Sequence, residues 1–90
     1  MLSVFMDDFK KDIILIASEI LDGVPEEELD SPDVELNSFP SYDSMSVVAF
    51  ITTLEERFDI SFDDDELVED NFRTMGDVIR IVKTKIDELR

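Results

Sequence analysis

The sequence predicts an all-α protein: a small four-helix bundle of three longer helices and one short helix, with a long loop between the first and second helices. Three observations predict it. Apolar residues recur at steps of three and four over most of the chain, the spacing of amphipathic helices. Ninety residues with 43% hydrophobic content make a single domain over residues 1–90, large enough for one core and no more. The three prolines, Pro25, Pro32 and Pro40, all fall in one stretch, so the main interruption of helical patterning is confined there.

The first helix is expected over about residues 3–21, where Phe5, Phe9, Ile13, Ile16 and Ile20 share a face. Gly23 and Pro25 stop it. Residues 24–42 read as a long loop with one helical turn at Glu26–Leu29. Its single apolar residues, Leu29, Val34, Leu36 and Phe39, pin it across the helices. A second helix runs from Ser44 to Phe58, with Val47, Ile51, Leu54 and Phe58 stacked and Met45, Val48 and Phe50 widening the stripe. After Ile60, Ser61 or Asp63 caps at most two helical turns, with Phe62 and Leu67 facing inward. Thr74 with Asp77 three residues on is a capping box in which Asp replaces the usual Glu. It opens a last helix carrying Met75, Val78, Ile79, Val82, Ile86 and Leu89, and Lys83, Lys85 and Arg90 suit the negative end of its dipole.

Charge and missing residue types exclude several functions. The chain has 24 acidic and 8 basic residues, a net charge of −16, which repels nucleic acid and anionic membranes and selects basic partners. With no Cys there are no disulfides and no thiolate metal sites. With no His either, Ser-His-Asp and Cys-His catalysis cannot be assembled, and no Gly-x-Ser-x-Gly elbow surrounds a serine for a Ser-Lys device. The expectation is a protein that is not an enzyme. Asp63, Asp64, Asp65 and Glu66 are consecutive, and the alternating ligands and central Gly of a calcium loop are missing, so no metal site is expected. No segment is long enough to span a bilayer, and Asp7 and Asp8 fall where a signal peptide needs positive charge, so a cytoplasmic monomer without membrane insertion is expected.

One serine stands out. In SYDSMSVVAF, residues 41–50, Ser44 sits at the start of the second helix, where a serine serves as a cap or as a point of attachment. The triplet Asp43-Ser44-Met45, followed in order by LEERFDISF at 54–62 and NFRTMGDVIRIV at 71–82, resembles the acyl carrier protein family, whose signature is Asp-Ser-Leu at the start of the second helix of a four-helix bundle. The resemblance extends over the whole chain as a single acyl-carrier-like domain. It implies that Ser44 is the covalent attachment site for 4'-phosphopantetheine, delivered from coenzyme A by a phosphopantetheinyl transferase. The thiol of that arm would carry an acyl group as a thioester to the enzymes of a fatty-acid, lipid or polyketide-like pathway. A phosphodiester at a helix N-terminus meets unpaired N–H groups and the positive end of the dipole, so the position suits the linkage.

The resemblance also implies partner contacts. Asp43 and Met45 flank the serine, and Tyr42 places an aromatic ring beside it, where it can pack on the arm or touch a partner. Glu55, Glu56 and Asp59 along the second helix would meet basic docking patches on acyl-loading and acyl-transferring enzymes, an attraction that speeds encounter and weakens with salt. The chain departs from the family in two places. Ser46 and Ala49 are neutral where acids are common, and Arg57 reverses a charge. Phe39-Pro40-Ser41-Tyr42 replaces a glycine-containing approach. Both departures point to a specialised member rather than a housekeeping one. Two alternatives remain open at this stage: a peptidyl or D-alanyl carrier using the same serine, and an acidic interaction module in which Ser44 stays unmodified.

Overall fold

The structure is a computed structural model describing residues 2–89, with side chains described from residue 9 to residue 89. Four α-helices follow in order: α1 (Leu2–Ile20), α2 (Glu26–Leu29), α3 (Ser44–Phe58) and α4 (Met75–Glu88). Three are long and one is short, and among the described residues no strand forms beyond a single bridge between Glu35 and Thr74. The short α-helix is α2, inside the first connection. The segment after Ile60, expected to hold up to two α-turns, instead makes two 3-10 turns, Asp64–Glu66 and Glu69–Phe72. Aspartate is a poor helix former and four consecutive carboxylates repel one another, which favours short turns over a continuing helix.

Helix ends close as their sequences dictate. At the end of α1, Asp22 (φ 63°) and Gly23 (φ 87°) turn left-handed, and the Gly23 N–H donates to the Ser18 carbonyl at 2.8 Å, the six-to-one bond of a Schellman closure. Asp59 (φ 54°) ends α3 in the same way, with the Ile60 N–H on the Glu55 carbonyl at 3.0 Å. The expected box opens α4: the Asp77 N–H donates to Thr74 Oγ1 at 3.1 Å, and the Thr74 N–H donates to Asp77 Oδ2 at 3.3 Å.

The core gathers Ile13, Ile16 and Ala17 from α1, Leu29 from α2, Leu36 from the loop, Phe50 and Leu54 from α3, and Met75, Val78 and Val82 from α4. Phe9 packs on Phe58 with ring centroids 5.4 Å apart, and Asp12 pairs with Arg57 at 3.1 Å, so the end of α3 is fastened to the first half of α1. Phe5, expected on the same face, lies outside the residues whose side chains are described.

Four apolar residues depart from expectation. Met45 is 81% exposed and Val48 is 63% exposed, so neither widens the buried stripe of α3. They precede Phe50 by five and two residues, which at about 100° per residue puts them about 140° and 160° around the helix from the core. Leu67, expected to face inward, is 40% exposed, because the 3-10 turns on either side carry it to the surface while Phe62 stays buried. Leu89, just beyond α4, is exposed as well.

The long first connection is ordered by backbone bonds to the start of α4. The Leu36 N–H donates to the Arg73 carbonyl at 2.8 Å, the Met75 N–H to Val34 at 3.0 Å and the Gly76 N–H to Pro32 at 3.1 Å. Met75 and Gly76 hold first-turn N–H groups with no partner inside their own helix, so the loop carbonyls satisfy donors that would otherwise need water. Leu29 and Leu36 bury completely beneath this strap.

Candidate functional site

Ser44 is the first residue of α3 and is exposed. It is not the cap. That role falls to Asp43, whose backbone is extended (φ −112°, ψ −174°) and whose Oδ1 accepts the Ser46 N–H at 2.9 Å. The backbone hydrogen bond from Ser46, followed by the Ser46 side chain, holds the Asp43 carboxyl below its ordinary pKa, so it is ionised at neutral pH. Among the described residues no hydrogen bond engages Ser44 Oγ, which leaves the hydroxyl available at the positive end of a fifteen-residue helix.

The approach to Ser44 is tied down from both sides. The Ser46 hydroxyl donates to the Ser41 carbonyl, and the Ser41 hydroxyl donates to the Leu21 carbonyl at 3.2 Å. A small neutral residue at position 46 therefore fixes the approach loop, a contact invisible to spacing arguments because it runs backward from the helix into the loop. Tyr42 is half-buried, and its hydroxyl donates to the Phe72 carbonyl at 2.7 Å. Burial pushes its phenol up to about 12.

Beside Ser44 opens a groove of about 440 Å³. Asn37 and Tyr42 line it from the long connection, Val47, Val48 and Ile51 from α3, and Leu67, Val68, Glu69 and Phe72 from the opposite turns. Ser44 itself is part of the lining. Val68 is 46% exposed, so together with Val48 and Leu67 it gives the groove an apolar, water-facing lining. A flexible arm with a polar stem and an apolar cargo fits such a mixture, which is how small-ligand sites are generally built. The sequence signal for this wall was present in Leu67 and Val68, but helical spacing assigned Leu67 to the core.

The acidic positions separate. Glu56 and Asp59 are exposed, whereas Glu55 is half-buried and its Oε2 accepts the Phe62 N–H at 3.0 Å, anchoring the chain after α3. Met45 stands fully on the surface next to Ser44. Lys85, expected only to complement the α4 dipole, is buried and reaches Glu66 at 2.9 Å, Glu88 at 3.0 Å and Asp63 at 3.6 Å. Among the described residues no group of His, Cys, Asp or Glu side chains is placed to hold a metal ion, and no helix is long and apolar enough to cross a membrane.

Residues 11–82 match the profile of the family described as phosphopantetheine attachment site, a span that includes Ser44, the groove and the α4 cap. The chain belongs to that family. The solution NMR structure of a holo acyl carrier protein from Nitrosomonas europaea superposes with a TM-score of 0.77 at 37% sequence identity, covering 87% of this chain and 95% of that one. No curated protein sequence matches the chain significantly. The fold is thus the small helical acyl carrier fold, and the prosthetic group of this phosphopantetheine-binding protein is a covalently attached 4'-phosphopantetheine. The donor chemistry agrees: an exposed, unengaged hydroxyl at a helix start beside an apolar groove offers both an attachment atom and a surface for the arm.

Proposed function

We propose that Ser44 is the attachment point of the arm and that the protein carries acyl intermediates for fatty-acid, lipid or polyketide-like synthesis, without catalysing a reaction itself. The observation that supports this most directly is Ser44 itself, exposed at the first position of α3 and lining the apolar groove. In attachment, Ser44 Oγ forms a bond to the pantetheinyl phosphorus of coenzyme A while the pyrophosphate P–O bond breaks. The nucleotide bisphosphate leaves, and the serine proton passes to a base of the transferase. The chain has no His, and Asp43 Oδ1 beside the serine is engaged by the Ser46 N–H, so activation is assigned to the partner. When bound, the group supplies a terminal thiol that holds an acyl chain as a thioester.

The chain's own residues orient and present. Asp43 caps α3 and remains ionised, which keeps the serine at a fixed helix end and gives a basic partner a charge to read. Exposed Met45 offers an adaptable apolar contact next to the attachment atom. Glu56 and Asp59 present free carboxylates for steering, and Glu55 contributes charge from a position fixed by Phe62. Tyr42 borders the arm. The carrier works as a cytoplasmic monomer among enzymes with basic docking patches.

The test is intact mass after incubation with coenzyme A and a broad-specificity phosphopantetheinyl transferase, beside Ser44→Ala. The expected result is a gain of one phosphopantetheinyl group that is absent in the variant. A gain that persists in Ser44→Ala overturns the assignment of the serine.

A further inference from the structure

Tyr42 borders Ser44, yet the attachment chemistry makes no use of it. Its ring meets Phe50 edge-on, with centroids 6.5 Å apart and planes at 77°, while its hydroxyl holds the Phe72 carbonyl at 2.7 Å. Phe72 in turn meets Phe62 edge-on at 5.7 Å and 87°. Tyr42 and Phe72 line the groove; Phe50 and Phe62 do not, and both are buried. The two lining residues therefore stand between the groove and the aromatic part of the core, and they are fastened to each other.

Parting them carries a physical penalty. It leaves the Phe72 carbonyl without its donor and separates two edge-on aromatic pairs. A phenol whose pKa lies well above neutral remains a donor throughout the working range. On the open side, Val48, Leu67 and Val68 are already exposed, so a chain laid across them leaves water without displacing any core side chain.

We propose that Tyr42 is a specificity-determining residue of the carrier: together with Phe72 it closes the floor of the groove, so that an acyl chain on the Ser44 arm lies over Val48, Leu67 and Val68 and does not enter the core. This rests on Ser44 being the attachment point. Short chains are then covered by the groove, and the far end of a long chain stays in water. Stabilisation by cargo rises with chain length only until the groove is filled.

The experiment loads the protein with butanoyl, octanoyl and dodecanoyl pantetheine analogues and follows intact mass, aromatic and methyl NMR shifts, and Tm. Tyr42→Phe removes only the hydroxyl, and Tyr42→Ala removes the floor. In the natural protein, shifts are expected at Val47, Val48, Leu67 and Val68, with Phe50 and Phe62 unmoved for all three chains and Tm equal for octanoyl and dodecanoyl. In Tyr42→Ala the dodecanoyl chain shifts Phe50 and Phe62 and raises Tm above the octanoyl form, and Tyr42→Phe moves the same signals less. Dodecanoyl-dependent shifts at Phe50 and Phe62 in the natural protein overturn the proposal alone, since mass has then shown loading. Unmoved core signals in both variants overturn it too, and if Tyr42→Ala does not fold, Tyr42→Phe decides. A chain that takes up no arm at Ser44 overturns the attachment reading and this proposal with it.

Discussion

Two irregular segments wall the groove beside Ser44, and they are held by different kinds of bond. The long connection before α3 is strapped to the start of α4 by backbone donors and acceptors, with Leu29 and Leu36 buried beneath it. The segment between α3 and α4 is held largely by side chains: the Phe62 N–H on Glu55, the Asn71 amide on the Glu66 carbonyl, Tyr42 on the Phe72 carbonyl, and Lys85 on Glu66. Backbone straps are independent of rotamer choice and, once covered, are lost only when the loop opens as a unit. Side-chain ties can be released one at a time. The first wall is thus a fixed edge beside Ser44, and the second is the adjustable one, with Leu67 and Val68 exposed upon it.

The sharpest way to break that contrast is to empty the space under the fixed wall. Leu36→Ala removes a fully buried side chain and is expected to lower unfolding stability by about 2–5 kcal/mol in chemical denaturation. Loss of protection at the Leu36 and Met75 amides should accompany it. A cost below about 1 kcal/mol would mean that the backbone bonds hold the strap unaided.

Next in size is overpacking of the same strap. A Cβ on Gly76 would lie 3.0 Å from both Cβ and the carbonyl oxygen of Pro32, an approach that leaves no room for a branched side chain. Gly76→Val is expected to cost about 1–3 kcal/mol by pushing the Pro32 turn away from α4. The stiff χ1 of valine prevents it from swinging clear. Retention of the natural Tm would show that the turn at Pro32 yields freely, which would make the first wall as adjustable as the second.

What could be read from the sequence follows the range of each interaction. The start of α3 at Ser44 and the Thr74–Asp77 box depend on residues three apart and were legible. So were the turn at Glu26–Leu29 and the burial of Ile13, Leu54 and Val82, because helical periodicity reports them directly. Ser44, proposed as the attachment point, stood out by resemblance, but its wall did not. Tyr42 reaches Phe72 across thirty residues, Leu36 reaches Arg73, and Gly76 abuts Pro32, none of which leaves a local pattern. Glu55 reads from the sequence as a docking carboxylate like Glu56, because nothing in its own helix reveals that the chain folds back to place the Phe62 N–H against it. Leu67 was misplaced for a related reason: its side chain belongs to the groove rather than to a helical stripe.

The smallest expected effect concerns the adjustable wall alone, and its pH dependence separates local from global stability. The Asp63 backbone N–H at 2.7 Å and the Lys85 ammonium hold the Glu66 carboxyl below its ordinary value of 4.5. Glu66, then Glu88, hold Lys85 above its ordinary range. A depressed carboxyl contributes stability above its unfolded pKa and loses it as pH falls through the folded value; a raised ammonium loses its contribution only as pH rises through its own. The pair is therefore intact at neutral pH and released on the acid side, below 4.5. Acid has the opposite effect on the whole molecule, because protonating carboxylates relieves the self-repulsion of a chain with net charge −16. Between about pH 7 and about pH 3.5, amide protection at Asp63 and Leu67, corrected for the intrinsic pH dependence of exchange, should fall while protection at Phe50 and Val82 holds. Lys85→Met should lower protection at Asp63 and Leu67 already at neutral pH and flatten that fall, leaving Leu36 and Met75 unchanged. Equal loss at both walls in the variant would show that Lys85 supports the bundle as a whole, and the division between a fixed and an adjustable wall would not stand.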